Sequence, residues 1–132
     1  MPWPRQCTVL AATVVLAILA ASCAADRTVS AQDAPLSHHV RIGLTEWSVV
    51  TGPQRFAAGS VTALVTNAGS TTHDLRIEGP RVAVQTRLLR PGQQAVLRFT
   101  TRPGQALRLW CTVPGHDEAG MDITRHVARR ES

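Results

Sequence analysis

The residues with the richest chemistry crowd into one stretch, Trp110-Cys111-Thr112-Val113-Pro114-Gly115-His116-Asp117-Glu118-Ala119-Gly120-Met121. A thiol, an imidazole and a thioether follow one another there at the spacing Cys-x4-His-x4-Met. A second imidazole, His73, stands upstream after the turn-forming run Asn67-Ala68-Gly69-Ser70-Thr71-Thr72. Two histidines and one cysteine in a trigonal plane, with a weak axial methionine, are the ligands of a blue-copper electron-transfer centre. Each residue alone has a plainer explanation. Free Cys is commonly a small buried hydrophobe and Met a filler of core gaps, and a loop or strand-end His is usually just solvated. Met121, however, is the one methionine besides Met1, and Pro114-Gly115 bends the chain so that His116 returns towards Cys111. The other histidines are weaker candidates: His38 and His39 lie near the start of the patterned region, and His126 stands beside Arg125.

Such a centre needs a rigid frame. Cu(I) and Cu(II) prefer different geometries, and a scaffold that holds the donors nearly still suits both, although how far this amounts to imposed strain is debated. The pattern from residue 38 onward supplies a frame of strands. Val40, Ile42 and Leu44 alternate with Arg41, Gly43 and Thr45, the period of a half-buried strand. Further strands are expected over Val61–Thr66, His73–Ile77, Val82–Leu89, Ala95–Thr101, Ala106–Cys111 and Ile123–Val127. Gly52-Pro53, Gly79-Pro80, Arg90-Pro91-Gly92-Gln93 and Arg102-Pro103-Gly104-Gln105 interrupt them. Short strands with turn signals every eight to twelve residues predict an all-β fold, a sandwich or small barrel. No segment sustains a helical period.

The N-terminus reads as a leader. Met1-Pro2-Trp3-Pro4-Arg5 is short and basic, Val9 to Ala21 is apolar apart from Thr13, and small residues precede Cys23. That is the make-up of a secretory signal peptide over residues 1–22. Cys23 sits where a bacterial lipobox carries its lipidated cysteine, which predicts a membrane-anchored lipoprotein in the periplasm or on the cell surface. Ordinary cleavage near Ala24-Ala25 and an uncleaved anchor are the alternatives. Residues 23–37 are polar and aperiodic, a flexible tether, and residues 38–132 form the expected copper domain. Cys7 lies in the leader and Cys23 at the processing site, so Cys111 has no partner for a disulfide in the domain. A lone thiol in an oxidising compartment is a liability unless something occupies it, and a metal does so by deprotonating it.

The chain has 132 residues and a formal charge of +5, and all fourteen of its basic Lys-or-Arg positions are Arg. The arginines are scattered, with only Arg129 and Arg130 adjacent, and aromatic residues are scarce, with three Trp, two Phe and no Tyr. A nucleic-acid groove would want both clustering and stacking platforms, so no nucleic-acid partner is expected. An acidic redox partner suits the charge, particularly over the region from Arg76 to Arg108.

These residues resemble the cupredoxin family of blue type 1 copper proteins, of the azurin, plastocyanin and rusticyanin kind. The resemblance spans about residues 38–128. Cys-Thr-Val-Pro-Gly-His is similar to the azurin type of ligand loop, and the gap to Met121 is similar to rusticyanin-like and auracyanin-like proteins. The resemblance implies a Greek-key β-sandwich of 7–8 strands, one copper bound by His73, Cys111, His116 and Met121, and a partly exposed His116 through which the electron leaves. It further implies that Asp74 hydrogen-bonds the segment beside Cys111 through Thr112, and that the Thr72 carbonyl approaches the metal opposite Met121. An ionised Asp74 would favour Cu(II) and lower the potential. The expected function is a monomeric, exported one-electron carrier with no substrate chemistry of its own. Copper handling, by a chaperone or storage protein, is the alternative, although carriers of that kind often present several exchangeable Met or His. A copper oxidase or nitrite reductase would need further His clusters, and the chain has no His-x-His pair.

Overall fold

A computed structural model describes residues 34–129. Ten strands follow one another: β1 (Leu36–Ser37), β2 (His39–Thr45), β3 (Ser48–Thr51), β4 (Arg55–Phe56), β5 (Gly59–Asn67), β6 (Arg76–Gly79), β7 (Val82–Gln85), β8 (Gln94–Thr101), β9 (Ala106–Trp110) and β10 (Asp122–His126). Among the described residues there is no helix, and so none long and apolar enough to cross a membrane. One four-stranded sheet runs in the order β3-β2-β5-β8 and a second in the order β10-β9-β6-β7; β1 and β4 form a small parallel pair. The chain passes between the large sheets after β5, after β7 and after β8, the winding of a Greek-key sandwich.

Alternation drives this arrangement. In β5, Val61, Ala63 and Val65 are fully buried while their neighbours are half-exposed. Ile42 and Leu44 of β2, Ile77 of β6 and Leu107 and Leu109 of β9 are buried in the same core. A period of two places one face of each strand inward, and aliphatic residues on both inner faces fill the space between sheets. Few aromatics are needed; Phe56 and Phe99 join the cluster.

The register sets where the ends fall. β2 and β5 run parallel, with Leu44 opposite Asn67, so the turn after β2 and the turn after β5 share one end of the sandwich. Arg76 at the start of β6 pairs with Trp110 at the end of β9, which in turn faces Asp122 at the start of β10. Residues 73–75 and the 111–121 loop therefore meet. The chain enters through β1 and β4, next to the Gly59 end of β5. At about 3.3 Å per residue, that is some 26 Å along the strand from the Asn67 end.

Several expected boundaries move. His73 makes a single bridge with Leu89, and regular pairing in β6 starts only at Arg76. The strand expected over Val82–Leu89 stops at Gln85, because the Thr86 side chain turns inward and its hydroxyl accepts the Leu75 N–H at 3.0 Å. A side-chain oxygen thus replaces a rung of the ladder. β3 was hidden because the two residues that turn the chain into it, Glu46 and Trp47, are not turn formers. Leu36–Ser37 falls within the stretch expected to be tether, yet it pairs with Arg55–Phe56; two residues show no period to read. The leader, Cys7, Cys23 and most of the tether lie outside the described residues.

Leu109 is wholly buried in β9, two residues before Cys111, whereas Val96 of β8 is 47% exposed. Leu109→Ala should cost about 2–5 kcal/mol of stability and Val96→Ala less than about 0.5 kcal/mol. Urea unfolding of the copper-free protein measures both.

Candidate metal centre

The crossing after β5, which carries His73, and the β9–β10 loop, which carries Cys111 and His116, bring three donors together. Nitrogens of His73 and His116 and the sulfur of Cys111 all lie within 4.8 Å of one another. His73 Nδ1 faces His116 Nδ1 at 3.1 Å, and Cys111 Sγ lies 3.7 Å from the same His116 nitrogen. His73 and Cys111 are fully buried, and His116 is half-buried.

Local backbone explains each position. His73 is fixed by two hydrogen bonds with Leu89, its N–H donating at 3.1 Å and its carbonyl accepting at 2.7 Å. The turn ahead of it is organised by buried Asn67, whose side-chain amide donates to the carbonyls of Thr71 and Leu89 and whose oxygen accepts the Gly69 N–H. Cys111 leaves β9 with its N–H donating to the Met121 carbonyl at 3.0 Å, so the sheet ladder closes around the loop. Inside the loop, Met121 N–H donates to His116 O and His116 N–H to Val113 O, both at 3.0 Å. Gly115, at φ 81°, allows the reversal. Met121 is fully buried beside this loop in the core cluster. The loop closes on Asp122, which also binds the Arg108 guanidinium at 2.6 Å across the strand pair.

A polar layer braces the cysteine side. Asp74 Oδ1 accepts the Thr112 N–H at 2.6 Å, and Oδ2 accepts the Thr112 hydroxyl and the Gln85 amide. Asp74 and Thr112 thus meet, and Gln85 is an addition that no sequence signal announced. Thr72 lies in the exposed turn just before His73.

The turn between β2 and β3 contributes two residues that sequence reasoning missed. Glu46 Oε1 lies 2.9 Å from His73 Nε2, on the side of the ring away from His116. Its carboxylate also accepts the N–H groups of Ser70 and Thr71 and the Thr71 hydroxyl. Those donors, the Thr71 N–H foremost, hold the Glu46 carboxyl well below the usual carboxylate range. Trp47 sets its ring edge-on to His116, with centroids 4.9 Å apart, while remaining 49% exposed. The fit is close: a Cβ on Gly120 would meet the Trp47 carbonyl at 2.7 Å. No spacing to the other donors marks Glu46 or Trp47. The only available signal was that an acid and a tryptophan stand together where a hairpin must turn.

The group suits copper by its donor chemistry. Two imidazoles and a sulfur gather in a pocket that a thiolate would share with soft or borderline metals. A carboxylate accepts hydrogen bonds, so in the neutral His73 ring Nε2 carries the hydrogen and Nδ1 keeps the lone pair that faces Cys111 and His116. His73, Cys111 and His116 could therefore hold a single copper ion, with Met121 next to them.

The sandwich with this group at one end is the cupredoxin architecture. No protein-family model matches the chain, and no curated protein matches it in sequence. Solved structures match its fold. Dithionite-reduced auracyanin from the photosynthetic bacterium Roseiflexus castenholzii superposes with TM-score 0.60 at 20% identity, over 70% of this chain and 98% of that one. Auracyanin A, a "blue" copper protein from the green thermophilic photosynthetic bacterium Chloroflexus aurantiacus, gives 0.53 at 14% identity, over 73% and 100%. Auracyanin B gives 0.54 at 20% identity, over 72% and 89%.

Two outcomes follow from this geometry. Burial pushes the Cys111 thiol above its ordinary value, so the copper-free protein carries it protonated at neutral pH. Coordination requires the thiolate, so copper uptake should release about one proton and tighten as pH rises towards the thiol's own pKa. Calorimetry of copper binding in buffers of different ionisation enthalpy reads that proton directly. Separately, Asp74→Ala leaves the Thr112 N–H without its acceptor and should cost about 1–3 kcal/mol in urea unfolding.

Proposed function

We propose that this chain is an exported blue copper protein that carries single electrons between redox partners. The observation that carries the reading is the convergence of His73, Cys111 and His116 within 4.8 Å at the end of a rigid sandwich. Copper there supplies a one-electron couple between Cu(II) and Cu(I). The chain supplies constraint: His73 is tied to Leu89, Cys111 to Met121 and the Asp74 layer, and Met121 would offer its thioether as a further, weak donor. The Thr72 carbonyl, directly before His73, would be a further oxygen near the ion. None of these groups makes or breaks a covalent bond in the transfer.

His116 is the proposed exit, since it is half-buried and touches exposed Trp47. Beside Thr72 a groove is lined by Arg87, Leu88, Arg90 and Gln93, with both arginines and Leu88 exposed. A partner with an acidic rim around an apolar contact fits such a surface. Arg76 and Arg108 contribute less to it, because they bind Glu78 and Asp122 within the domain. Export and a lipid anchor at Cys23 complete the proposal. Entry of the chain at the Gly59 end supports a tether that leaves the donor end free. An oxidase or reductase would require a second copper cluster, and the remaining described histidines, His38, His39 and His126, are exposed strand residues or neighbours of strands.

Addition of Cu(II) to the soluble domain should give an intense band near about 600 nm and a small copper hyperfine splitting in EPR. Cys111→Ser should abolish the band. A colourless protein that gives up its copper readily would instead indicate copper handling, and colour surviving in the Ser variant would overturn the ligand assignment.

A further inference from the structure

The β2–β3 turn does more than connect strands. Glu46 reaches across the end of the sandwich to His73, a residue 27 positions away in sequence. Five contacts hold its carboxylate: the N–H groups of Ser70 and Thr71, the Thr71 hydroxyl, a second bond from Ser70, and His73 Nε2, all between 2.8 and 3.1 Å. Its side chain is 25% exposed, while that of His73 is fully enclosed. Space for it is reserved. A Cβ built on Gly69 would lie 2.6–2.9 Å from the carboxylate atoms, although no unusual φ obliges that position to be glycine. The absence of a side chain at Gly69 thus serves the carboxylate.

A carboxylate on the far nitrogen of a metal-binding imidazole fixes its tautomer and orientation and makes it a stronger donor. Negative charge on that side also favours the more highly charged oxidation state of the ion. We propose that Glu46 is the positioning residue for His73: it holds the ring so that Nδ1 faces Cys111 and His116, and it biases the bound copper towards Cu(II). The proposal rests on the copper reading of the site. Glu46 touches no metal; it acts entirely through the imidazole.

The test compares Glu46→Gln, Glu46→Ala and Gly69→Ala with the unaltered protein. Glu46→Gln keeps an acceptor oxygen but removes the charge; the midpoint potential should rise while the blue band persists. Glu46→Ala should raise the potential as well and weaken Cu(II) binding on the order of 10–100-fold. Gly69→Ala leaves the charge in the chain but displaces the carboxylate, and should shift the potential in the same direction as Glu46→Ala. In the copper-free protein, nitrogen NMR of the His73 ring should show hydrogen on Nε2, and in Glu46→Ala a mixture of tautomers. An unchanged potential in Glu46→Gln, or hydrogen on Nδ1 in the copper-free protein, overturns the proposal. Should the unaltered protein bind no copper, the functional reading fails by itself, and the NMR still decides whether Glu46 sets the ring. If Glu46→Ala does not fold, Glu46→Gln and Gly69→Ala carry the comparison.

Discussion

Three lone-pair donors must face one another where water is scarce, and the rest of the domain serves that requirement. Two imidazole nitrogens 3.1 Å apart with a sulfur 3.7 Å from one of them are poorly placed unless something binds between them or a proton is shared. Burying polar atoms without full partners costs free energy. The surrounding structure offsets this by satisfying nearly every other polar group nearby. Asn67 uses both its oxygen and its amide, Asp74 takes three donors, and Glu46 collects the N–H groups of an otherwise open turn. The donors are thereby left pointing at one another because all their supports are already committed elsewhere.

What the sequence revealed follows from how far each feature reaches along the chain. The alternation of Val61, Ala63 and Val65, or of Leu107 and Leu109, is local, and it makes the all-β fold legible before any long-range pairing is known. The loop from Cys111 to Met121 is legible for the same reason, since its donors recur at a short fixed interval. His73 could be singled out only by pairing it in thought with a motif 38 residues away from it, counted to Cys111. Glu46 had no such anchor. Its role depends on the parallel register of β2 with β5, which places Leu44 opposite Asn67, and a parallel pairing leaves no short-range mark. Thr86 misled the strand reading because, although its N–H donates to the Leu75 carbonyl, the Leu75 N–H is taken by the Thr86 hydroxyl in place of its carbonyl.

The two imidazoles are held in different ways, and the difference bears on how the site would work. His73 is clamped on every side: Leu89 along the backbone, Glu46 behind the ring, and no exposure to solvent. His116 sits in a loop of successive turns, tied by its own backbone to Val113 and Met121, with its ring resting against a tryptophan that is itself half in water. A centre built only of clamped donors would be rigid but insulated; one built only of loop donors would be accessible but would rearrange with each change of charge. Placing the immobile histidine on the sheet side and the accessible one on the loop side lets one end of the domain satisfy both demands. The hairpin turn enforces the division, because Glu46 and Trp47 are consecutive and each serves one ring. Any movement of that turn would therefore reach both imidazoles at once, which is why the tight seat of Trp47 against Gly120 matters as much to the site as the contacts of the donors themselves.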